Sequence, residues 1–157
     1  MMHPQISIQE FPTYSLAYIS HLGEDGLMAE TYQKLTNWAK SKGFLPRPEA
    51  KLLTIYHDSF RDTPPEKVRM SACLMLPGPV EPEAFIGFRS IKAGKFAVGR
   101  FDILPDDFGS VWRSMFTWLK ESGFQWNGQD PFEIYQSEWP THPEGKLLVD
   151  LCIPVTG

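Results

Sequence analysis

Several things that would assign a protein to a class quickly are scarce in this chain. No apolar run approaches the roughly 20 residues needed to cross a bilayer. The start, Met1-Met2-His3-Pro4, has neither the charged nor the apolar region of a secretion signal, so a cytoplasmic protein without a membrane partner is expected. Basic residues are in deficit: 15 Lys and Arg against 19 Asp and Glu give a net charge of −4. Without a Lys/Arg stripe to neutralise phosphates, direct nucleic-acid binding is excluded as an expectation. The four histidines, His3, His21, His57 and His142, show no ligand spacing, and neither Cys73 nor Cys152 has a CxxC partner. No metal or other cofactor is therefore expected. There is no GxSxG and no glycine-rich loop to cradle phosphate, while Asp107-Phe108-Gly109 spells a kinase magnesium motif without its companions and reads as a helix start.

What the chain does have is a repeat. WAKSKGF at Trp38–Phe44 returns as WLKESGF at Trp118–Phe124, eighty residues on. Ile55-Tyr56 returns as Ile134-Tyr135, Pro65-Glu66 as Pro143-Glu144, and Cys73-Leu74 as Cys152-Ile153, at offsets of 79, 78 and 79. Landmarks kept in order with drifting offsets mark a duplicated unit whose loops have changed length. At 157 residues, 42% hydrophobic and 13% aromatic, the chain reads as one globular domain spanning 1–157, with internal repeats at about 5–80 and 84–157. Each half alone would be marginal. On count alone the two cysteines could form one disulfide, but both sit in apolar, strand-like runs at equivalent places and read as buried free thiols.

Both copies give the same order of elements. Gln5 to Glu10 alternates apolar and polar, Pro12-Thr13 interrupts, and Ser15 to Ser20 resumes, as a bent strand or a hairpin. Met28, Tyr32, Leu35, Trp38 and Ala39 recur at helical spacing and Gly43 stands where a C-cap glycine belongs, predicting a helix over about Gly26 to Lys42. Lys51 to His57 and Val68 to Leu76 follow as strands, joined by a loop whose Pro64-Pro65 blocks a helix. In the second copy, strands at about Ala84 to Ile91 and Lys95 to Ile103 flank a turn at Ala93-Gly94. A helix from Pro105-Asp106-Asp107 to Gly123 comes next, with Phe108, Val111, Trp112, Met115 and Leu119 as its buried stripe, and strands Phe132 to Gln136 and Lys146 to Val155 close the chain. The fold class is α+β, with two helices packed on antiparallel sheet.

The informative constellation surrounds Glu133. Strand alternation puts Phe132 and Ile134 on one face and Glu133 with Tyr135 on the other. The equivalent pair in the first copy is Thr54 and Tyr56, so the duplication keeps the tyrosine and places a carboxylate in one half. Glutamate is disfavoured in strands, and with apolar or aromatic neighbours it needs water or a partner. Two readings stand: a solvated side chain on an open sheet face, or a lone carboxylate at the base of an aromatic pocket, waiting for a cation.

The helix ending in WLKESGF, the strand PFEIY, the terminal EGKLLVDLCIPV and the first-copy stretch IYHDSFRDTPPEKVR, in this order, resemble the GyrI-like effector-binding domains. These include stand-alone gyrase-inhibitor proteins and the C-terminal domains of AraC-type and MerR-type multidrug regulators. The resemblance runs from about Ile6 to Val155. It implies tandem β-α-β-β units with pseudo-twofold symmetry and a ligand groove between the copies. It further implies lipophilic, often cationic, small-molecule ligands and an acidic residue on the strand matching PFEIY, which is Glu133. Aromatics matching Phe108 line the pocket in the multidrug regulators, and Trp112 lies one turn further along the same face. Tyr56, Tyr135 and Trp139 are further candidates from strand parity or proximity to Glu133. Where the family's terminal strand carries a pocket tyrosine, this chain has Leu147.

Such a set suits a broad-range cation receptor. A buried carboxylate is costly until an arriving cation offsets it, and aromatic faces add cation–π contact without exact hydrogen-bond geometry. With no helix-turn-helix pattern, the expectation is a stand-alone effector-binding domain that meets a transcription regulator or gyrase in trans. The alternatives are a hydrolase of cyclopropane-bearing xenobiotics using the same glutamate as general base, and a gyrase-inhibitor-type interaction protein.

Overall fold

The computed structural model describes residues 6–23, 28–45, 47, 50–58, 62–83, 85–104, 107–136 and 147–156. Among them, in chain order, are β1 (Ile6–Phe11), β2 (Tyr14–Leu22), α1 (Met28–Ser41), β3 (Leu52–Tyr56), β4 (Arg69–Leu76), β5 (Gly87–Ile91), β6 (Gly94–Ile103), α2 (Phe108–Ser122), β7 (Gln125–Trp126), β8 (Phe132–Tyr135) and β9 (Leu147–Thr156). A single 3-10 turn at Pro65–Lys67 corrects the expectation that Pro64-Pro65 excludes any helix. Pro65 occupies its first turn, where a missing N–H costs nothing.

The chain divides into two compact units: a continuous one, Thr13–Lys92, and a split one, Met1–Pro12 with Ala93–Gly157. In the continuous unit the antiparallel order is β5-β2-β4-β3, with α1 against β2 and β4. In the split unit it is β1-β6-β9-β8, with α2 against β6 and the short β7 also paired to β9. The order is the same from edge to edge, and so is the register. Leu53, Thr54, Ile55 and Tyr56 lie opposite Cys73, Ala72, Ser71 and Met70. Seventy-nine residues later Phe132, Glu133, Ile134 and Tyr135 lie opposite Cys152, Leu151, Asp150 and Val149.

The two hairpins allowed by the sequence do not form. β1 pairs with β6, from Ile6 opposite Gly99 to Phe11 opposite Gly94, and β5 pairs with β2. Pro12-Thr13 offers no residue suited to the positive φ of a two-residue hairpin turn. Gly94, read as a turn residue, is instead the first residue of β6. Each edge strand thus joins the unit built mainly from the other sequence repeat.

Helix limits follow from local chemistry. Gly43 and Gly123 take φ of 78° and 88°, the left-handed conformation that ends a helix and that residues with a Cβ avoid. Tyr32, Leu35 and Ala39 bury one stripe of α1, and Trp112, Met115 and Leu119 that of α2; Phe108 and Val111, also expected in the stripe, are half-buried. Gly99 lets α2 come close, since a Cβ there would stand 2.5 Å from Met115 Sδ and 2.7 Å from Phe101 Cε2. β9 gives up alternation: Val149, Leu151, Ile153 and Val155 on one face and Asp150 and Cys152 on the other are all buried, as suits a strand covered on both sides. Among the described residues no helix is long and apolar enough to cross a membrane.

Candidate functional site

β8 is four residues long and its pleat separates two environments. Phe132 turns to the face of Phe96, whose ring meets it edge-on with centroids 5.6 Å apart. Glu133 and Tyr135 turn to the face covered by α2. There Trp112 Nε1 donates to Glu133 Oε1 at 2.9 Å, and the Tyr135 hydroxyl donates to Glu133 Oε2 at 2.7 Å. Glu133 is only 2% exposed and Trp112 3%. The solvated carboxylate on an open sheet face is therefore not what forms. Burial of a carboxylate demands donors, and an indole N–H from the helix and a phenol from the same strand supply them.

Of the residues singled out in the sequence, the structure brings together Glu133, Trp112 and Tyr135. Phe108 opens α2 one turn before Trp112, is half-buried, and takes no part in that hydrogen-bonded group. Tyr56 ends β3, in the continuous unit, at the position equivalent to Tyr135. Leu147 opens β9 opposite Ile103, and Trp139 lies outside the described residues.

The same helix-to-strand bridge exists in the continuous unit in neutral form. The Tyr32 hydroxyl donates to the Leu53 carbonyl at 2.6 Å and lies 2.5 Å from Thr54 Oγ1. Tyr32 precedes Trp112 by eighty residues and Thr54 precedes Glu133 by seventy-nine, so both ends are equivalent. Sequence reasoning paired Thr54 with Glu133 but passed over Tyr32, which the repeat offset would have found.

A second polar group, also missed, lies on the other face of the split unit. Asp150, 7% exposed and opposite Ile134, receives Arg100 as a fork, Nε to Oδ1 at 2.7 Å and Nη2 to Oδ2 at 2.9 Å, with Gln136 Nε2 on Oδ2 at 3.0 Å. Its signal was the single acid inside the apolar run LLVDLCIPV. Cys152 follows two residues later on that face. Burial, then the negative charges of Asp150 and Glu133, push its thiol well up, and burial does the same to Cys73. Both cysteines are free. Among the described residues no three His, Cys, Asp or Glu side chains gather as metal ligands would.

With the geometry in place, comparison with known proteins is specific. The model of the GyrI-like small molecule binding domain matches residues 4–156. A DNA gyrase inhibitor of Cronobacter turicensis is 30% identical over 128 residues, 79% of this chain and 78% of that protein. Among solved structures, the C-terminal domain of EcmrR superposes with a TM-score of 0.75 at 18% identity, covering 97% of each chain. In the EcmrR–DNA complex the match covers 57% of the EcmrR chain, with a TM-score of 0.76 at 17% identity. SAV2435 bound to tetraphenylphosphonium gives 0.64 at 16% identity, covering 97% of this chain and 94% of the other. These structural likenesses concern the fold.

Proposed function

The chain belongs to the GyrI-like small molecule binding domain family, and we propose that the molecules it binds are lipophilic cations received at Glu133. The observation that carries this reading is a carboxylate 2% exposed beneath α2, its oxygens capped by Trp112 and Tyr135. Removing a carboxylate from water costs several kcal/mol, and two neutral donors return part of that. A cation arriving between α2 and β8 supplies a full opposite charge in their place. The displaced indole and phenol rings then serve as walls, each adding about 0.5–2 kcal/mol of cation–π attraction. Phe108, a turn earlier on α2, extends that wall. A site of this kind selects for positive charge and apolar bulk, as in tetraphenylphosphonium, the ligand of the SAV2435 structure.

The test is a calorimetric titration of tetraphenylphosphonium and of uncharged triphenylphosphine oxide into the wild type and Glu133→Gln. The cation should bind the wild type and weaken by about 1.5–3 kcal/mol, roughly 10- to 150-fold, in the variant. The neutral compound should not distinguish the two proteins. Equal affinity of both proteins for the cation would end the proposal, and turnover of a strained electrophilic substrate that disappears in Glu133→Gln would put a hydrolase in its place. A second reading, favoured by the 30% identity to a DNA gyrase inhibitor, is that the domain acts on gyrase, which a supercoiling assay with purified protein decides.

A further inference from the structure

Among the described residues, one arginine, Arg89, lies beside the position where the other unit buries an acid and meets no carboxylate. In the split unit Asp150 on β9 is gripped by the Nε and Nη2 edge of Arg100, with Gln136 as a third donor. Seventy-nine residues earlier the equivalents of Asp150 and Gln136 are Ser71 and His57. The correspondence is structural too: the His57 amide donates to the Arg69 carbonyl as the Gln136 amide does to that of Leu148.

An arginine is again drawn onto the pair, this time from β5. Arg89 Nη1 donates to Ser71 Oγ at 3.0 Å and to His57 Nε2 at 3.2 Å, and its guanidinium lies over the Tyr18 ring, 5.2 Å from the centroid. A guanidinium only donates, so Ser71 Oγ accepts from Arg89, and the Ser71 hydroxyl also lies 2.8 Å from His57 Nε2, closing a three-membered polar group. Ser71 is 1% exposed, whereas Arg89, His57 and Tyr18 are half-buried.

Among the described residues no carboxylate pairs with Arg89. Asp58, next to His57, is held by Arg69 Nε at 2.9 Å, Nη2 at 2.8 Å and the Arg69 amide at 3.0 Å. Nε and Nη2 of Arg89 make no hydrogen bond to any described residue. That is the edge which both Arg100 and Arg69 turn toward an aspartate. It matches a carboxylate with two parallel N–H···O bonds, and a half-buried guanidinium lacking a counter-ion gains most from one.

We propose that Arg89, with Ser71 and His57 fixing its orientation and Tyr18 beneath it, is a receptor for the carboxylate of a small organic acid. The ligand's acid takes the role that Asp150 plays for Arg100. The site is of opposite sign to the one at Glu133 and lies wholly within the continuous unit, so either can stand without the other.

Benzoate and its uncharged isostere benzamide are the probes, titrated into the full chain while the Arg89 Nε–H and His57 ring signals are followed by NMR. Saturable shifts of both signals by benzoate are expected, with benzamide at least about tenfold weaker. Arg89→Gln should weaken benzoate by about tenfold or more, and Ser71→Asp, which installs the missing acid, should abolish benzoate binding and raise the melting temperature. Should Ser71→Asp fail to fold, Arg89→Gln, on an edge strand, carries the test alone. Absence of saturable benzoate binding, equal binding of benzamide, or unchanged affinity in Arg89→Gln overturns the assignment.

Discussion

Replacing Trp112 by Phe should destabilise the protein more than replacing Glu133 by Gln, although only the second alters the charged group. Trp112→Phe keeps the carboxylate buried and removes the donor that reaches Oε1 at 2.9 Å. A hydrogen bond to a charged group contributes about 1.5–3 kcal/mol, and the smaller ring forfeits roughly another 1 kcal/mol of buried area, for about 2.5–4 kcal/mol in all. Glu133→Gln exchanges two charge-assisted bonds for two neutral ones, since the amide oxygen can accept from Trp112 and the amide nitrogen donate to the Tyr135 hydroxyl, which also accepts. That exchange loses about 1 kcal/mol per bond, while the relieved desolvation of the carboxylate returns a comparable amount, leaving a net change within about 1 kcal/mol of zero. When Trp112→Phe is made on top of Glu133→Gln it breaks only a neutral bond, so the two substitutions should couple by about 1 kcal/mol. Urea unfolding of the four proteins, with unchanged m-values as the check on comparability, measures the cycle. Additive effects, or a Glu133→Gln cost above about 3 kcal/mol, would refute a carboxylate whose main local role is to be capped.

Two further outcomes follow from the aspartates. Asp150 is 10% exposed in its side chain and Arg100 56%, so Arg100→Met, which strands the buried acid, should cost about 2–3 kcal/mol in urea unfolding, against about 1 kcal/mol for Asp150→Asn, which leaves a cation in water. At the other aspartate, the Arg69 side chain and then its amide hold the Asp58 carboxyl down from 3.8 to about 2. A depressed carboxyl gives stability that is fully present above pH 3.8 and lost as pH falls through about 2. The carbon-13 titration of Asp58 should thus sit near 2 in the wild type and rise toward 3.8 in Arg69→Gln.

What the sequence revealed and what it hid divide along a physical line. Helices show through because their signals are local: the Tyr32-Leu35-Ala39 and Trp112-Met115-Leu119 stripes and the glycines at 43 and 123 lie within a few residues of what they determine. Strand alternation shows which residues share a face, and it set Glu133 beside Tyr135 correctly. It does not show which strand lies next door. β1 finds its partner some ninety residues away, and two plausible hairpin links proved to be plain connections. The burial of Glu133 was hidden for a related reason. A glutamate in a strand is solvated or capped according to what docks on it, and the decisive donor, Trp112, comes from a helix twenty-one residues earlier. Asp150 escaped notice because its acid is answered by Arg100 from a strand fifty residues away.

The duplication itself argues that the carboxylate at 133 is not there for the fold. Both units hold the same strand order and the same register across β3–β4 and β8–β9. At the two register positions where the split unit buries Glu133 and Asp150, the continuous unit buries Thr54 and Ser71. A sheet of this geometry therefore forms with neutral hydroxyls at both places, which satisfy local donors at far smaller desolvation cost. The acid at 150 has an internal cation to answer it. The acid at 133 receives the indole of Trp112 and the phenol of Tyr135 on its oxygens. A fold that can do without the charge is what the proposed role of Glu133 as a ligand's counter-ion requires.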